Sequence, residues 1–170
     1  MEAIETERLV LRSFTAEDGE ALLTMIVQYQ QSPYAQYDHP WPTDPEQIRG
    51  VAQWFASGDH YLAVCRKTDA VFVGFVCLNP EEQHGEQALN IGYIFAADYH
   101  GQGYATEAGR AALTRAFETL GAARVVTGTA EANLPSVRLL QRLGLRRADP
   151  GQGYDYVITR AEWRAAADPQ

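Results

Sequence analysis

The feature that most constrains the fold of this chain lies between residues 88 and 120. A strand-like run at residues 88–96 leads through a turn with two glycines, Gly101 and Gly103, into a helical pattern whose apolar residues recur at spacings of three and four. Glycines let the backbone of such a turn approach a ligand without Cβ atoms in between. The N–H groups at the start of the helix, together with the helix dipole, favour an anion there. We therefore predict that this turn holds a phosphate group.

The order of the other elements predicts a mixed α/β fold. A hairpin of strands at residues 61–66 and 71–78 precedes a strand–helix–strand unit that runs from residue 88 to residue 129. This order favours a mixed sheet with helices on both faces, in which the strands at residues 88–96 and 124–129 are parallel. The remaining predicted elements are a strand at residues 8–12, helices that begin at Thr15, Pro45 and Asn133, and short strands at residues 145–148 and 154–159. Trp54 is expected on the buried face of the helix that begins at Pro45.

Length and composition indicate one globular domain of 170 residues, of which 46% are hydrophobic. The net charge of -8 disfavours nucleic acid and anionic membranes as partners. The chain has no apolar run that approaches the ~20 residues needed to span a bilayer, and its first residues do not resemble a signal peptide. Cys65 and Cys77 lie in strand-like runs without metal-ligand spacing, so we expect two separate buried thiols and no metal site. These features predict a cytoplasmic protein.

Three kinds of phosphate site can be compared with the glycine turn. A dinucleotide-binding loop would have a third glycine and would follow the first strand, whereas this turn follows the fourth predicted strand. A Walker loop would need Gly-Lys-Ser or Gly-Lys-Thr, which the turn lacks. A plain glycine turn that caps a structural helix remains open when the turn is considered alone.

Several motifs together carry a resemblance to a known family. Residues 100–105 read His-Gly-Gln-Gly-Tyr-Ala, residues 133–145 contain Asn-Leu-Pro-Ser-Val-Arg followed by Leu-Gly-Leu, and residues 6–12 read Thr-Glu-Arg-Leu-Val-Leu-Arg. In this order and spacing, the chain from residue 6 to about residue 163 resembles the GNAT superfamily of N-acetyltransferases. Within it, the chain is similar to the branch that contains the ribosomal-protein N-acetyltransferases.

The resemblance implies a single GNAT-like domain at residues 1–170, with a mixed, mostly antiparallel twisted sheet whose central parallel pair is splayed at the site of acetyl-coenzyme A. His100 stands where the family usually has Arg or Gln, and we expect it to place an N–H group near the phosphate. The implied cofactor-binding residues comprise a strand edge for the pantetheine arm, a turn for the diphosphate and the start of a later helix. They are Ile94, Phe95 and Ala96, then His100, Gly101, Gln102, Gly103, Tyr104, Ala105 and Thr106, then Asn133, Ser136 and Arg138.

The chemistry implied by the resemblance is direct attack of an amine on the acetyl thioester. An ammonium group, with a pKa of about 10, has to lose a proton before it can attack. Ser136 is the candidate acid, because Leu140 stands where many relatives have a tyrosine. Glu86 is the candidate base. Asp38, His39 and His84 are alternatives to Glu86, and positioning of the neutral amine without a base also remains open.

The acceptor pocket is expected to include the loop from Tyr34 to Trp41. Aromatic and acidic side chains suit a cationic amine with apolar neighbours, although packing within the loop explains them equally well. The expected substrate-binding residues are Tyr34, Tyr37, Asp38, Trp41 and Asn90. Asn90 stands where this branch often has an acidic residue.

The expected partner is an amine-bearing substrate, either a peptide N-terminus or a small molecule, and a homodimer is left open because relatives often form one. A coenzyme A-binding module without catalysis is the alternative, motivated by His100, Asn90 and Leu140. A nucleotide-dependent oxidoreductase is disfavoured, because the glycine spacing is wrong and the acidic ribose partner is missing.

Overall fold

The computed structural model describes residues 1–81 and 87–167. Within these ranges, eight strands form one sheet in the order β1-β2-β3-β4-β5-β6-β8-β7. The strands are β1 (Ile4–Glu5), β2 (Leu9–Ser13), β3 (Tyr61–Arg66), β4 (Phe72–Pro80), β5 (Ala88–Phe95), β6 (Arg124–Thr127), β7 (Arg146–Arg147) and β8 (Tyr156–Thr159). The helices are α1 (Gly19–Gln30), α2 (Pro45–Ala56), α3 (Tyr104–Thr114), α4 (Leu134–Arg142) and α5 (Arg160–Ala167). The predicted mixed, mostly antiparallel sheet is confirmed.

The parallel pair of the sheet is β5 and β6, as the sequence predicts. Their register runs from Ala88 opposite Arg124 to Asn90 opposite Val126. Beyond this ladder, the Thr127 hydroxyl donates a hydrogen bond of 2.8 Å to the carbonyl of Ile91. β5 then continues to Phe95, whereas β6 ends at Thr127. The second half of β5 therefore extends past the strand with which it is paired.

The described residues divide into two compact units, and each unit consists of two separate stretches of chain. The first unit comprises residues 1–77 and 93–108, and the second comprises residues 78–92 and 109–170. The prediction of a single domain is not tested by this division and stays a prediction.

Aromatic and aliphatic side chains form the core of the first unit. The Phe55 and Tyr61 rings stack with their centroids 3.8 Å apart, and Phe14 meets Phe55 edge-on at 5.0 Å. The buried members of this core are Phe14, Leu22, Met25, Ile26, Ile48, Ala52, Phe55, Ala63, Phe75 and Ile94. The prediction that Trp54 is buried is wrong: its side chain is 62% exposed. It lies at the outer end of the aromatic cluster, 5.2 Å from the ring of Tyr61, because Phe55 already occupies the inward position of α2.

Local signals in the sequence account for the start of α1 and of α2 in this unit. Asp44 Oδ1 accepts the N–H groups of Glu46 and Gln47 at 3.0 Å, and Pro45 occupies the first turn of α2. A short 3₁₀ helix leads into α1, and there the Asp18 carboxylate accepts the N–H of Thr15 at 2.8 Å, as expected for a capping box.

Gly74 in β4 allows the end of β5 to approach closely. A Cβ atom at this position would lie 2.5 Å from the carbonyl oxygen of Ile94 and 2.9 Å from the Cα of Phe95. Both are backbone atoms that cannot rotate away, so only glycine fits here. The position of the end of β5 thus depends on a residue that has no side chain.

In the second unit, the α3 segment closes with an irregular turn. Residues 115–119 form a π-helical turn, in which the N–H of Leu120 donates to the carbonyl of Arg115 at 2.9 Å. Gly121, with a φ of 71°, ends the segment as predicted. The helix is packed closely at Gly109, where a Cβ atom would lie 2.7 Å from a methyl group of Leu143.

The expectations about the cysteines and about membrane-spanning segments can be compared with the described residues. Cys65 and Cys77 are both buried and form no disulfide, as predicted. Cys65 lies opposite Phe72 in the hairpin of β3 and β4. None of the helices in residues 1–81 and 87–167 has the length and the apolar content that crossing a bilayer requires.

Candidate active site

The glycine turn lies at a junction between a strand and a helix, as predicted. β5 ends at Phe95, a 3₁₀ turn covers Ala97–Tyr99, and α3 begins at Tyr104. Gly101 has a φ of 73° and Gly103 has a φ of 84°. A residue with a Cβ atom loses roughly 1–2 kcal/mol in this left-handed region. The shape of the turn therefore explains both glycines.

The surroundings of the turn leave room for a ligand next to one of the glycines. A Cβ atom on Gly101 would have no described protein atom within 4 Å. The first N–H groups of α3 stay outside its hydrogen-bond ladder, whose first bond runs from the N–H of Glu107 to the carbonyl of Gly103 at 3.0 Å. These donors and the aligned peptide dipoles of the helix suit an anion. The Gln102 side chain donates to the carbonyl of Asp98 at 3.0 Å and so belongs to the internal structure of the turn.

The main-chain groups at the end of β5 face two different sides. The N–H of Ala96 donates to the carbonyl of Val73 in β4 at 3.0 Å, and the carbonyl of Ile94 lies against Gly74 of β4. Because successive residues of a strand direct their main-chain groups to opposite sides, those of Phe95 face away from β4. Among these three residues, Phe95 is thus the one with main-chain groups directed away from β4, and the predicted contact of Ile94, Phe95 and Ala96 with the pantetheine arm stays a prediction.

His100 contacts the main chain of Phe95. Its Nε2 lies 2.8 Å from the carbonyl oxygen of Phe95. A carbonyl only accepts, so Nε2 carries the hydrogen and donates it. The ring lies 6.4 Å from the ring of Tyr34, tilted by 51°. The structure thus gives His100 a main-chain partner, and the predicted contact between its N–H and a phosphate stays a prediction.

A brace between the start of β2 and the turn was not expected from the sequence. The Arg8 guanidinium donates to the carbonyl of Gln102 at 2.9 Å and to Glu107 Oε2 at 2.8 Å. Glu107 Oε1 accepts the Thr6 hydroxyl at 2.6 Å and the N–H of Arg8 at 2.7 Å. Burial acts to raise the pKa of Glu107, but the hydrogen bonds from Thr6 and Arg8 outweigh it and lower the pKa below its usual value. The carboxylate is thereby kept ionised.

No local pattern in the sequence could have shown this brace, because its partners are 94 to 101 residues apart in the chain. One indirect signal exists. The polar residues Thr6, Glu7 and Arg8 precede or begin the apolar alternation of β2, where polar side chains are free to contact another segment.

The predicted acceptor loop is held largely by its own side chains. The Asp38 carboxylate accepts the N–H of His39 at 2.7 Å and the indole N–H of Trp41 at 3.0 Å. Burial, together with the nearby Asp38 charge, raises the pKa of Tyr29 to about 12. The Trp41 ring packs against the core, 6.0 Å from the ring of Phe75. Asp38 and Trp41 therefore have structural roles here, and their contact with a substrate stays a prediction, as does that of Tyr37.

Four of the other predicted residues, Asn90, Asn133, Ser136 and Arg138, belong to the second unit. Asn133 precedes α4 as its N-cap residue, although its side chain makes no capping hydrogen bond within the described residues. Ser136 is half-buried in the first turn of α4, and Arg138 is exposed. Asn90 is half-buried in β5, opposite Val126 of β6. Glu86, the candidate base, and the alternative His84 lie outside the described residues.

Comparisons with known proteins agree with this arrangement. Residues 8–146 match the family described as acetyltransferase (GNAT) domain. The chain is 26% identical to the uncharacterized N-acetyltransferase YnaD of Bacillus subtilis (strain 168), over 94% of this chain and 98% of that protein. It superposes with a TM-score of 0.81 on the crystal structure of a GNAT-family acetyltransferase from Bacillus anthracis, which is 25% identical, over 93% of this chain and 98% of that one. A protein from Vibrio cholerae with the provisional name of ribosomal-protein-serine acetyltransferase is also 25% identical, with a TM-score of 0.71 over 93% of this chain and 97% of that one.

Proposed function

This chain belongs to the GNAT family of acetyltransferases, and from that premise we propose that it transfers the acetyl group of acetyl-coenzyme A to a primary amine by direct attack of the amine. The acceptor is either the α-amine of a protein N-terminus or an amine of a small molecule. The observation that carries the proposal is the glycine turn, with Gly101 and Gly103 in the left-handed region directly before α3.

The residues of the turn fit the diphosphate of coenzyme A. The side of Gly101 where a Cβ atom would lie is open, and N–H groups between Gly101 and Thr106 would bind the diphosphate at the start of α3. The main chain of Phe95 would pair with the pantetheine arm as an added strand does. Asn133, Ser136 and Arg138 are the further proposed contacts. When bound, the cofactor supplies an acetyl group activated as a thioester.

The chain has to manage two protons during the transfer. The acceptor amine arrives as an ammonium with a pKa of about 10, so it has to lose a proton before it attacks, and a carboxylate can accept that proton directly or through water. We assign this role to Glu86. The hydroxyl of Ser136 is assigned the opposite role, because Oγ can hold a proton for the leaving sulfur. A leaving thiolate has a pKa near 8.5, so a proton donor helps but is not obligatory.

Protein α-amines are the favoured acceptors. The Vibrio cholerae relative, by its provisional name, acts on a ribosomal protein, and it is 25% identical over almost the whole length of both chains. The predicted substrate-binding residue Asp38 is exposed and follows the half-buried Tyr37. This position is compatible with an extended peptide as well as with a small amine as the substrate.

The experiment is an acceptor panel with release of free coenzyme A thiol as the readout. Peptides with free N-termini, the same peptides with blocked N-termini, polyamines and aminoglycosides are offered with acetyl-coenzyme A. We expect thiol release with at least one free N-terminal peptide and none with its blocked form. Equal release with both forms, or with small amines only, would contradict a protein α-amine as the acceptor.

The assigned proton donor is tested with the best acceptor of that panel. Ser136→Ala should lower kcat by about tenfold to a hundredfold, since general acid catalysis contributes to the chemical step. It should raise the Kd for coenzyme A by no more than about tenfold, the effect of losing one hydrogen bond. Thr114→Ala is a control, because its hydroxyl donates to the carbonyl of Arg110 within α3. It should leave kcat unchanged.

A coenzyme A-binding module without catalysis is the second candidate. The specific observation in its favour is Leu140, which stands where many GNAT enzymes have a tyrosine acid and is fully buried in α4. Asn90, an amide, also cannot act as a base at neutral pH. Tight binding of acetyl-coenzyme A without thiol release across the whole panel would favour this candidate over the enzyme.

A further inference from the structure

We propose that Arg8 is a positioning residue of the cofactor site: it orients the peptide between Gln102 and Gly103 so that the N–H of Gly103 faces the bound anion. This inference rests on the proposed function, because it takes the glycine turn to be the diphosphate site. Arg8 precedes β2, and its side chain contacts the turn and the first turn of α3 at the same time.

The first step of the argument is the geometry of the peptide bond. A trans peptide is planar, and its C=O and N–H point in opposite directions. No cis peptide occurs among the described residues. Arg8 Nη1 donates to the carbonyl of Gln102 at 2.9 Å, so this oxygen is fixed on the side of β2. The N–H of Gly103 consequently points to the other side, away from Arg8.

The second step concerns how firmly the orientation of the Arg8 guanidinium is fixed. Arg8 Nε and Nη2 both lie 2.8 Å from Glu107 Oε2, and its central carbon lies 4.7 Å from the centre of the Tyr104 ring. These contacts leave the planar guanidinium little freedom to rotate. Gly103 adds to the fit, since a Cβ atom there would lie 3.3 Å from Arg8 Nη2.

The third step concerns charge. Glu107 is in the first turn of α3, where its negative charge would repel an anion at the start of the helix. Arg8 and the Thr6 hydroxyl bind this carboxylate, and the ion pair with Arg8 cancels its charge. A substitution of Arg8 alone would therefore change both the orientation of the turn and the charge beside it, and the two effects have to be separated.

A double variant separates them. Glu107→Gln removes the negative charge, so that Arg8→Ala can be compared in its absence. The Kd for coenzyme A is measured by calorimetry in Glu107→Gln and in Arg8→Ala/Glu107→Gln. Each variant is measured at about 0.05 M and about 0.5 M salt, because salt screens a long-range attraction by the Arg8 charge but does not reverse a change in the orientation of the peptide. We expect the Kd of the double variant to be about tenfold higher than that of Glu107→Gln at both salt concentrations. Urea unfolding verifies that both variants are folded, and Arg8→Gln replaces Arg8→Ala if the latter is not.

Arg146→Ala in the Glu107→Gln background is the control. Arg146 also pairs with a carboxylate, that of Glu162 at 2.6 Å, and neither residue is among the proposed cofactor contacts. It should leave the Kd unchanged. The inference is overturned if the double variant binds as tightly as Glu107→Gln, or if its loss of affinity disappears at the higher salt. If the native protein does not bind coenzyme A at all, the proposed function fails first and this inference fails with it.

Discussion

At the residue scale, the same four residues occur twice in this chain with different surroundings. Gly-Gln-Gly-Tyr is found at residues 101–104 and again at residues 151–154. All four glycines have a positive φ, between 73° and 88°. Only the first copy leads directly into a helix, whereas the second lies between β7 and β8. The tetrapeptide specifies a bend, and the helix that follows supplies the dipole and the N–H groups that suit an anion.

This repetition provides a matched pair of substitutions. A Cβ atom on Gly101 or on Gly151 would meet no described atom within 4 Å, so Gly101→Ala and Gly151→Ala should each lower the free energy of unfolding by about 1 kcal/mol, the cost of the left-handed conformation. Only Gly101→Ala should weaken coenzyme A binding, because its methyl group occupies the side from which the ligand approaches. Urea unfolding and calorimetry measure the two effects. Equal affinities in the two variants would show that the open side of Gly101 is not used.

A second prediction concerns the ion pair of Asp18 and Arg12. Burial acts to raise the pKa of Asp18, but hydrogen bonds from Arg12 at 2.7 and 2.8 Å and from the N–H of Thr15 outweigh it, and the pKa is lowered. The pKa in the folded state is therefore below that in the unfolded state, so the pair stabilises the protein above a pH of about 4, and the contribution is lost as the pH falls through the lowered value. Asp18→Asn should cost about 2 kcal/mol at pH 7 and flatten the loss of stability between pH 5 and pH 2.

The measurement is urea unfolding as a function of pH. Asp69→Asn is the control, because Asp69 also pairs with an arginine but is exposed, where such pairs contribute little to stability. An equal pH dependence in native protein and in Asp18→Asn would exclude Asp18 as its source.

At the scale of the elements, the close approach of β4 and β5 depends on Gly74. In Gly74→Ala, the new methyl group would meet the carbonyl of Ile94 and the Cα of Phe95, and we expect a loss of about 3 kcal/mol in the free energy of unfolding because backbone must shift. Gly50→Ala is the opposite case, since Gly50 lies within α2 with no described atom within 4 Å of a Cβ position. It should gain up to about 1 kcal/mol from helix propensity. Urea unfolding of both variants tests the pair, and a loss in Gly74→Ala no larger than the usual effect of a surface substitution would contradict the packing argument.

The elements were largely predictable because periodicity and turn residues are local signals. The hairpin, the parallel strands and the helices that begin near Pro45 and Asn133 follow from them. α5 was missed, although Thr159 and Glu162 form the capping box that marks its start. The N–H of Thr159 donates to Glu162 Oε2 at 2.8 Å, and the N–H of Glu162 donates to the Thr159 hydroxyl at 3.3 Å. β1 has only two residues, too few for any alternation to be recognised.

At the scale of the whole molecule, neither compact unit is a continuous stretch of chain. β4 and β5 each have residues in both units, since the boundaries fall after Cys77 and after Gly92. Because each unit needs two separate stretches of chain, no single stretch is expected to fold alone. We therefore expect the protein to unfold in one cooperative transition. Trp41 and Trp54 belong to the first unit and Trp163 to the second, which gives a local fluorescence probe for each.

The test uses variants that keep one tryptophan each. Trp54→Phe/Trp163→Phe reports on the first unit through Trp41, and Trp41→Phe/Trp54→Phe reports on the second through Trp163. In each variant, the unfolding midpoint measured by tryptophan fluorescence is compared with the midpoint measured by circular dichroism on the same variant. The two midpoints should coincide in both variants. Separate midpoints would mean two independently folding bodies and would refute the single-domain prediction.

The candidate site was less predictable than the elements, for a reason that belongs to this scale. The glycine turn is local, and its shape was anticipated. The brace joins Arg8 to Glu107 across 99 residues, and the main-chain edge at Phe95 depends on how β4 pairs with β5. Such contacts arise only when distant segments meet, so periodicity and spacing do not reveal them.

The π-helical turn at residues 115–119 has a consequence for the history of the chain. Such a turn holds one more residue than a regular turn, and here it brings Arg115, Ala116 and Phe117 into the interior in succession. Removal of one residue from it would leave an ordinary spiral, with the segments on either side undisturbed. We expect homologues aligned with this chain to show a one-residue gap within this turn more often than in the regular part of α3, because an insertion or deletion is tolerated where the backbone can absorb it.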